Sequence, residues 1–337
     1  MSPNQVNSVH SPRPVENPFT DAWSRYWASG APHSCVGTYG QRYGGSIGEF
    51  WKQVFSSVRS GERILDIATG NGALPRLFLD HGPRHGAQCD AIDVATIAPA
   101  WLSDRAVSGN SRLRFHGGVD AARLPFEKNT FDWVCSQYGI EYSDLSLAIP
   151  EVCRVAKIGG RVAIMAHHAQ SRPVALARIE VGHLEWLLSQ SGFLHTVSAL
   201  VEPMVRASTA EGRASLEVDE EAIRLRDHFN ALLGELARKA QTGDGSEVLL
   251  EARDRTMALL ANAGNLGLLV ASAQMTSALE AFQGAWLRLT DLTTHALDEC
   301  QARAVSEQLS LGIGRVLRLA GLQDEGHMMG WTLRSID

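Results

Sequence analysis

Between Arg63 and His168, short β-rich apolar runs alternate with stretches of helical spacing. "RILDIA" from Arg63, "CDAIDV" from Cys89, "LRFHG" from Leu113, "FDWVCSQ" from Phe131 and "RVAIMAHH" from Arg161 read as strands. Helices are predicted between them at about 73 to 81, 96 to 107 and 144 to 157, the last closed by Gly159 as a C-cap. This alternation predicts a doubly wound α/β fold with a parallel sheet.

After His168 the pattern changes. From about residue 174 to 309 β-branched runs disappear, and Ala, Leu, Glu and Arg recur at helical spacing. Leu225, Phe229, Leu232 and Leu236 form one stripe; Met275, Leu279, Phe282, Trp286, Leu289, Thr293 and Ala296 form a longer one. Breaks at 241 to 246 and 263 to 265 divide this block into helical hairpins. "LSLGIGRVLRLAGL" then reads as a last helix and "GWTLRSI" from Gly330 as a strand, so the all-helical block looks inserted into an α/β domain. The expected organisation is a disordered tail over 1–20, a helical lid over 21–60, an α/β core over 61–169, a helical insertion over 170–309 and the rest of the core over 310–337.

Composition narrows the picture. A chain of 337 residues with 45% hydrophobic positions can bury one large core or two smaller ones. A net charge of -6 without a run of Lys or Arg speaks against nucleic acid or an anionic membrane as partner. The polar, Pro-rich first twenty residues lack an apolar h-region, and no later stretch is long enough for a membrane span, so a cytoplasmic protein is expected. Cys35, Cys89, Cys135, Cys153 and Cys300 include no CxxC pair and are expected to be buried free thiols.

The chemistry starts at "ILDIATGNGAL", where a strand ends at Asp66 and is followed by Gly70, Gly72 and a helix start. Open α/β sheets bind ligands at this edge. A dinucleotide would need a third glycine where Pro75 stands, and Asp66 would repel its phosphates. S-adenosylmethionine carries a sulfonium and an ammonium and no phosphate, so the same acid attracts it. Asp93 closes the second strand 21 positions after Gly72, where an acid can accept from ribose hydroxyls, with Val94 beside it. Asp120 can accept from an adenine amino group, with the amide of Ala121 adjacent and Leu124 as an apolar wall.

Residues 61 to 168 resemble the class I S-adenosylmethionine-dependent methyltransferases, especially the branch with small-molecule and quinone-biosynthesis enzymes. "ILDIATGNG", "AIDVA", "GGVDAARLPFEKNTFDWVCSQYGIEY" and "EVCRVAKIGGRVAIMAHH" carry the resemblance. It implies a seven-stranded Rossmann-like sheet, with "GWTLRSI" as the antiparallel member, and S-adenosylmethionine as cofactor. It also implies that Asp66, Gly70 and Gly72 line methionine and ribose, Asp93 holds the ribose, Asp120 and Ala121 hold adenine, and Gln137 lies under the methyl donor. Ala68 stands where many members have the first glycine. The resemblance fades from about 170 to 309, where the substrate would be chosen.

The expected activity is methyl transfer to a small organic acceptor by in-line displacement, with O-, N- and C-methylation all open. Candidate catalytic residues lie at strand ends: Glu141 and Tyr142 after the fourth, His167 and His168 after the fifth. Adjacent histidines on an extended segment point to opposite faces, so at most one enters the cleft, and they make a poor metal pair. The aromatic stretch with Trp23, Tyr26, Trp27, Tyr39, Tyr43 and Trp51 is expected to pack on the sheet or to form a lid over the sulfonium, with Tyr26 and His33 among its candidates. The insertion is expected to form a substrate wall, a homodimer interface, or both. Competing readings are a nicotinamide-dependent oxidoreductase and a non-catalytic cofactor-binding regulator.

Overall fold

The computed structural model describes residues 17–35, 42–104, 112–241 and 243–336. Five parallel strands are β1 (Arg63–Ile67), β2 (Gln88–Asp93), β3 (Leu113–Gly117), β4 (Phe131–Gln137) and β5 (Ala156–Ala166). A hairpin of β6 (Leu317–Asp324) and β7 (His327–Ser335) completes the sheet, with β7 antiparallel to β5. The order is β3-β2-β1-β4-β5-β7-β6. The direction of winding reverses between β1 and β4, and this opens a crevice at their carboxyl ends.

Both faces of the sheet are covered, which is why β1, β2 and β4 are almost wholly buried rather than alternating. The helices α1 (Pro18–Ala28), α2 (Gly45–Ser56), α3 (Ala73–His81) and α4 (Leu145–Val155) precede the insertion. On one face α2 and α3 bury Trp51, Phe55 and Phe78 against Ile64, Trp133 and Met165. On the other, α4 supplies Ile149 and Val152 to a core with Leu65, Val134 and Ile164.

The insertion comprises α5 (Arg172–Leu188), α6 (Phe193–Arg206), α7 (Ala210–Glu217), α8 (Glu220–Ala240), α9 (Glu247–Leu266) and α10 (Leu268–His295). It has its own core, centred on Leu187, Phe193, Leu236, Leu249 and Met275. Met275 and Phe282 are buried there, and Leu279, Trp286 and Leu289 pack on the same cluster. The α10 stripe therefore contributes to the core of the cap. The break between α9 and α10 falls at Gly267, with φ +74°, rather than at 263 to 265, because α9 continues through that segment. No helix among the described residues is long and apolar enough to cross a membrane.

The chain rejoins the sheet with α11 (Glu299–Ile313), whose Val305, Leu309 and Ile313 belong to the sheet's core. This helix starts with a capping box between Asp298 and Gln301 and stops at Gly314, which is left-handed. The segment "VLRLAGL", expected to be helical, is instead mostly β6. Its leucines suit either state, and pairing with β7 decides.

Other boundaries also move. Asn17 caps α1, so this helix starts before residue 21. Only the short 3-10 turn Ala100–Ser103 forms where a helix over 96–107 is expected; Pro99 immediately precedes it, and 105–107 lie outside the described residues. Ala156, not Gly159, ends α4, and Gly159 lies within β5 at φ +73°. All five cysteines are free, but only Cys89 and Cys135 are buried, and Cys300 is exposed.

Candidate cofactor and acceptor site

A cavity of about 430 Å³ lies over the carboxyl ends of β1, β2 and β4. That size falls in the range of roughly 300–1,000 Å³ found for small-molecule sites. Asp66, Ala68, Asp93, Val94, Asp120, Ala121 and Gln137 all line it, so three strand ends and the loop after β3 converge as the sequence predicts.

Asp66 is 2% exposed, and among the described residues no donor makes a well-formed hydrogen bond to either of its carboxylate oxygens. Burial pushes its pKa up to about 8, opposed by the neighbouring Thr69 hydroxyl and helped by the nearby Asp93 carboxylate. Asp93 is raised to about 6 by burial, opposed by two backbone donors. Its Oδ2 accepts from the Gly70 amide and its Oδ1 from the Ala95 amide, both at 2.8 Å. Gln137 Oε1 accepts from the Trp51 indole, while its Nε2 donor is buried and unpaired. Asp120 accepts from the Ala122 amide at 2.9 Å.

A cation meets the requirement that Asp66 leaves unfilled. Ionised and next to an ammonium or sulfonium, this carboxylate regains the stabilisation that burial removed. Asp93 retains lone pairs for hydroxyls, and among the described residues no cationic side chain lines the cavity apart from the histidines. These residues fit S-adenosylmethionine and would repel a pyrophosphate.

Gly70 and Gly72 do not line the cavity. Gly70 is left-handed at φ +53°, and a Cβ there would lie 2.6 Å from the Trp27 ring. Gly72, at φ +80°, backs onto Phe115 and Trp101, 2.8 and 2.9 Å from its would-be Cβ. Their bareness makes room for these aromatic rings. Ala68 itself holds φ +55°, and its methyl group faces Gly139, where a Cβ would come within 2.3 Å. The methyl present at 68 thus fits because position 139 has none.

Helix α1 lies across the crevice. Asn71 Nδ2 donates to the backbone oxygens of Trp27 and Ala31 at 2.9 and 2.8 Å, tying the lid to the glycine turn. Trp23, Trp27, His33 and Tyr43 line the cavity, whereas Tyr26 does not. The Tyr26 hydroxyl donates to the His33 carbonyl, and the Arg288 guanidinium stacks 4.3 Å from its ring centre. Trp51 is core, and Tyr39 lies outside the described residues.

Of the four catalytic candidates, only Tyr142 lines the cavity. Burial raises its pKa well above the phenol range, with Glu141 and Asp291 adding to the rise. Glu141 and His167 form a buried pair behind it: Glu141 Oε1 accepts from the His167 backbone amide and lies 2.8 Å from Nδ1. The His167 ring stacks on Tyr138 at 4.1 Å. His168 turns to the opposite side, stacks on Trp331 at 4.4 Å and accepts the Gln170 amide through Nδ1.

Among the lining residues that the sequence reading missed are Asp291 and His295, from the last turns of α10. Trp23 Nε1 donates to Asp291 Oδ2 at 2.9 Å, and Asp291 Oδ1 lies 3.0 Å from His295 Nδ1. Beyond His295, Leu297 bonds the backbone of His167 and Ala169, so the chain's return to the sheet sets this pair above the strand ends. The spacing of four was visible as one helix face, but its position over the crevice was not.

Comparison with known proteins agrees with this geometry. Residues 65–164 match a family described as "Methyltransferase domain". A ubiquinone/menaquinone biosynthesis C-methyltransferase of Saccharophagus degradans is 37% identical over 128 residues, 36% of this chain and 50% of that protein. The one from Idiomarina loihiensis is 36% identical over 140 residues, 38% of this chain and 52% of that protein. The chain therefore spans about half the length of the curated relatives it matches. Among solved structures, the YcgJ protein of Bacillus subtilis is 28% identical with a TM-score of 0.33, over 42% of this chain and 58% of that one. The matched family segment and the acids at the ends of β1 and β2 lead to one conclusion: over residues 65–164 the α/β unit of this chain is similar to methyltransferase domains, and its strand-end acids suit S-adenosylmethionine as cofactor.

Proposed function

We propose that this protein transfers the methyl group of S-adenosylmethionine to a small organic acceptor enclosed between the sheet edge, α1 and the helical cap. The observation that carries the reading is Asp66, a buried carboxylate without a well-formed hydrogen bond among the described residues, on the wall of a cavity that Asp93 and Gln137 share. When bound, the cofactor supplies an electrophilic methyl group on a positively charged sulfur.

The protein's own residues then bind, orient and exclude water. Asp66 balances the cofactor's positive charge, Asp93 accepts from its hydroxyls, and Asp120 and Ala121 border its base. Trp23 and Trp27, stacked at 5.7 Å between ring centres, close the crevice from the lid side. Holding the acceptor in line with the transferred group supplies much of the rate, because it converts an encounter into an oriented contact. Tyr142 faces the acceptor, and the Glu141–His167 pair positions Tyr142 from behind.

The curated relatives are C-methyltransferases, but the matched family segment ends at residue 164, before the cap begins. The cap residues on the cavity, Asp291 and His295, are this chain's own contribution to acceptor choice. Thermal unfolding with S-adenosylhomocysteine or with NAD, at a hundredfold excess over the dissociation constant, tests the proposal. A native-state ligand then adds about 2.7 kcal/mol of stability. Stabilisation by S-adenosylhomocysteine alone is expected; stabilisation by NAD alone would refute the methyltransferase reading.

A further inference from the structure

We propose that the Asp291–His295 pair of α10 is the general base of this site and that the acceptor carries an ionisable hydroxyl, phenolic in character. The inference rests on the methyltransferase reading and deepens it by naming the proton acceptor and the substrate class.

The argument begins with the tautomer. His295 Nδ1 lies 3.0 Å from the Asp291 backbone oxygen and 3.0 Å from the Asp291 carboxylate. Both are acceptors, so Nδ1 carries the proton, and the lone pair of the neutral ring is on Nε2. Among the described residues no hydrogen bond to Nε2 is present, and His295 is part of the cavity wall. Asp291 is itself held rigidly. It is 7% exposed, and its second oxygen accepts from the Trp23 indole of the lid helix. A carboxylate orients the imidazole, and closure of the lid orients the carboxylate.

The charged and titratable neighbours support the role. Asp291 raises the His295 pKa, first through its side-chain hydrogen bond and against the lowering effect of burial, and Glu141 adds to the rise from the turn opposite. The Tyr142 ring lies 5.8 Å from the imidazole and closes the same corner of the cavity. His167 lacks this access because it is buried behind Tyr138.

A neutral amine has its nucleophilic lone pair available and gains nothing from a base before transfer, whereas a hydroxyl does. In the proposed step the acceptor O–H bond breaks and its proton moves to His295 Nε2. The electron pair left on oxygen forms the O–CH3 bond while the methyl–sulfur bond breaks, its pair remaining on sulfur. The sulfonium charge is thereby consumed, and the imidazolium later returns its proton to water. Phe19, Trp23, Tyr142 and Leu147 offer an apolar, largely aromatic wall to such an acceptor.

Two measurements on the full chain test the proposal. Long-range proton–nitrogen correlation spectra of the ligand-free protein, with His295→Gln for assignment, should show the neutral His295 ring protonated at Nδ1. Its titration midpoint should fall in Asp291→Asn. A proton on Nε2, or an unmoved midpoint, overturns the assignment. The second measurement follows labelled methyl transfer to ring-substituted phenols of graded acidity. His295→Gln should slow transfer to phenol by about a hundredfold or more, the usual range for a lost general base. A nitrophenol already ionised at the assay pH should lose far less, and S-adenosylhomocysteine should bind the variant as it binds the parent. Equal loss across the series overturns the base role. No transfer to any phenol by a parent protein that binds S-adenosylhomocysteine overturns the hydroxyl assignment. Failure of the parent to bind S-adenosylhomocysteine would instead sink the methyltransferase reading, and the tautomer measurement would still judge the pair.

Discussion

Replacing Asp66 with Asn should make the ligand-free protein more stable while weakening its hold on the cofactor. The carboxyl has a reference value of 3.8 and is raised to about 8 by burial. Because the folded value lies above the unfolded one, stability from this group is fully present below pH 3.8 and is lost as pH rises through about 8. Each pH unit between the two values costs about 1.4 kcal/mol, so at pH 7 the acid destabilises the fold by about 4 kcal/mol. An Asn at 66 removes that linkage but buries an amide without partners, at a cost of about 1–3 kcal/mol. The net gain at pH 7 is therefore about 2 kcal/mol, and it should widen steadily between about pH 4 and 8. Urea unfolding of both proteins across that range measures it. The same change removes charge-assisted hydrogen bonds worth about 1.5–3 kcal/mol, so S-adenosylhomocysteine should bind about 10- to 150-fold more weakly by calorimetry. Parent binding at pH 7 should also release protons as Asp66 ionises, visible as a dependence of the heat on the buffer, and the variant should lack that release. A variant less stable than the parent at pH 7, or one with unchanged affinity, would refute the account of Asp66.

Further outcomes follow from the same geometry. Asp93→Ala removes the acceptor for the Gly70 and Ala95 amides and the one proposed for ribose hydroxyls, and should weaken S-adenosylhomocysteine by about 1–3 kcal/mol in a titration. Gly72→Ala should destabilise the fold by about 1–3 kcal/mol in urea, because it combines overpacking with a left-handed backbone. Ala68→Gly relieves a left-handed alanine and should raise stability by about 1 kcal/mol in the same assay. His167→Ala leaves Glu141 buried beside an empty site and should cost about 3–5 kcal/mol, whereas His168→Ala, on a partly exposed ring, should cost far less; equal losses would contradict the assignment of His167 to the interior.

Much of the site was legible because its signals are local. A strand that ends at Asp66, another at Asp93 and a third at Gln137 place their last side chains at one sheet edge whatever the rest of the chain does. The glycines were legible as a turn but not in their task. Only the packed structure shows that Gly70 makes room for Trp27 and Gly72 for Phe115 and Trp101. The two histidines after β5 could be narrowed to one face but not assigned to it. Tertiary packing sends His167 inward to Glu141 and His168 outward to Trp331.

By itself the sequence determined the segments that form β1 to β5, the acids at the strand ends, the charge of the ligand they can accept and the helical character of the insertion. Those properties depend on the side-chain period and on neighbours within a few residues. The tertiary structure alone decided that "VLRLAGL" pairs as a strand with β7, that α1 closes the crevice, and that Asp291 and His295 face Trp23 and Tyr142. These contacts join segments up to 268 residues apart. No periodicity encodes them, because they arise only once three hydrophobic cores, one on each face of the sheet and one within the cap, have fixed where each helix end lies.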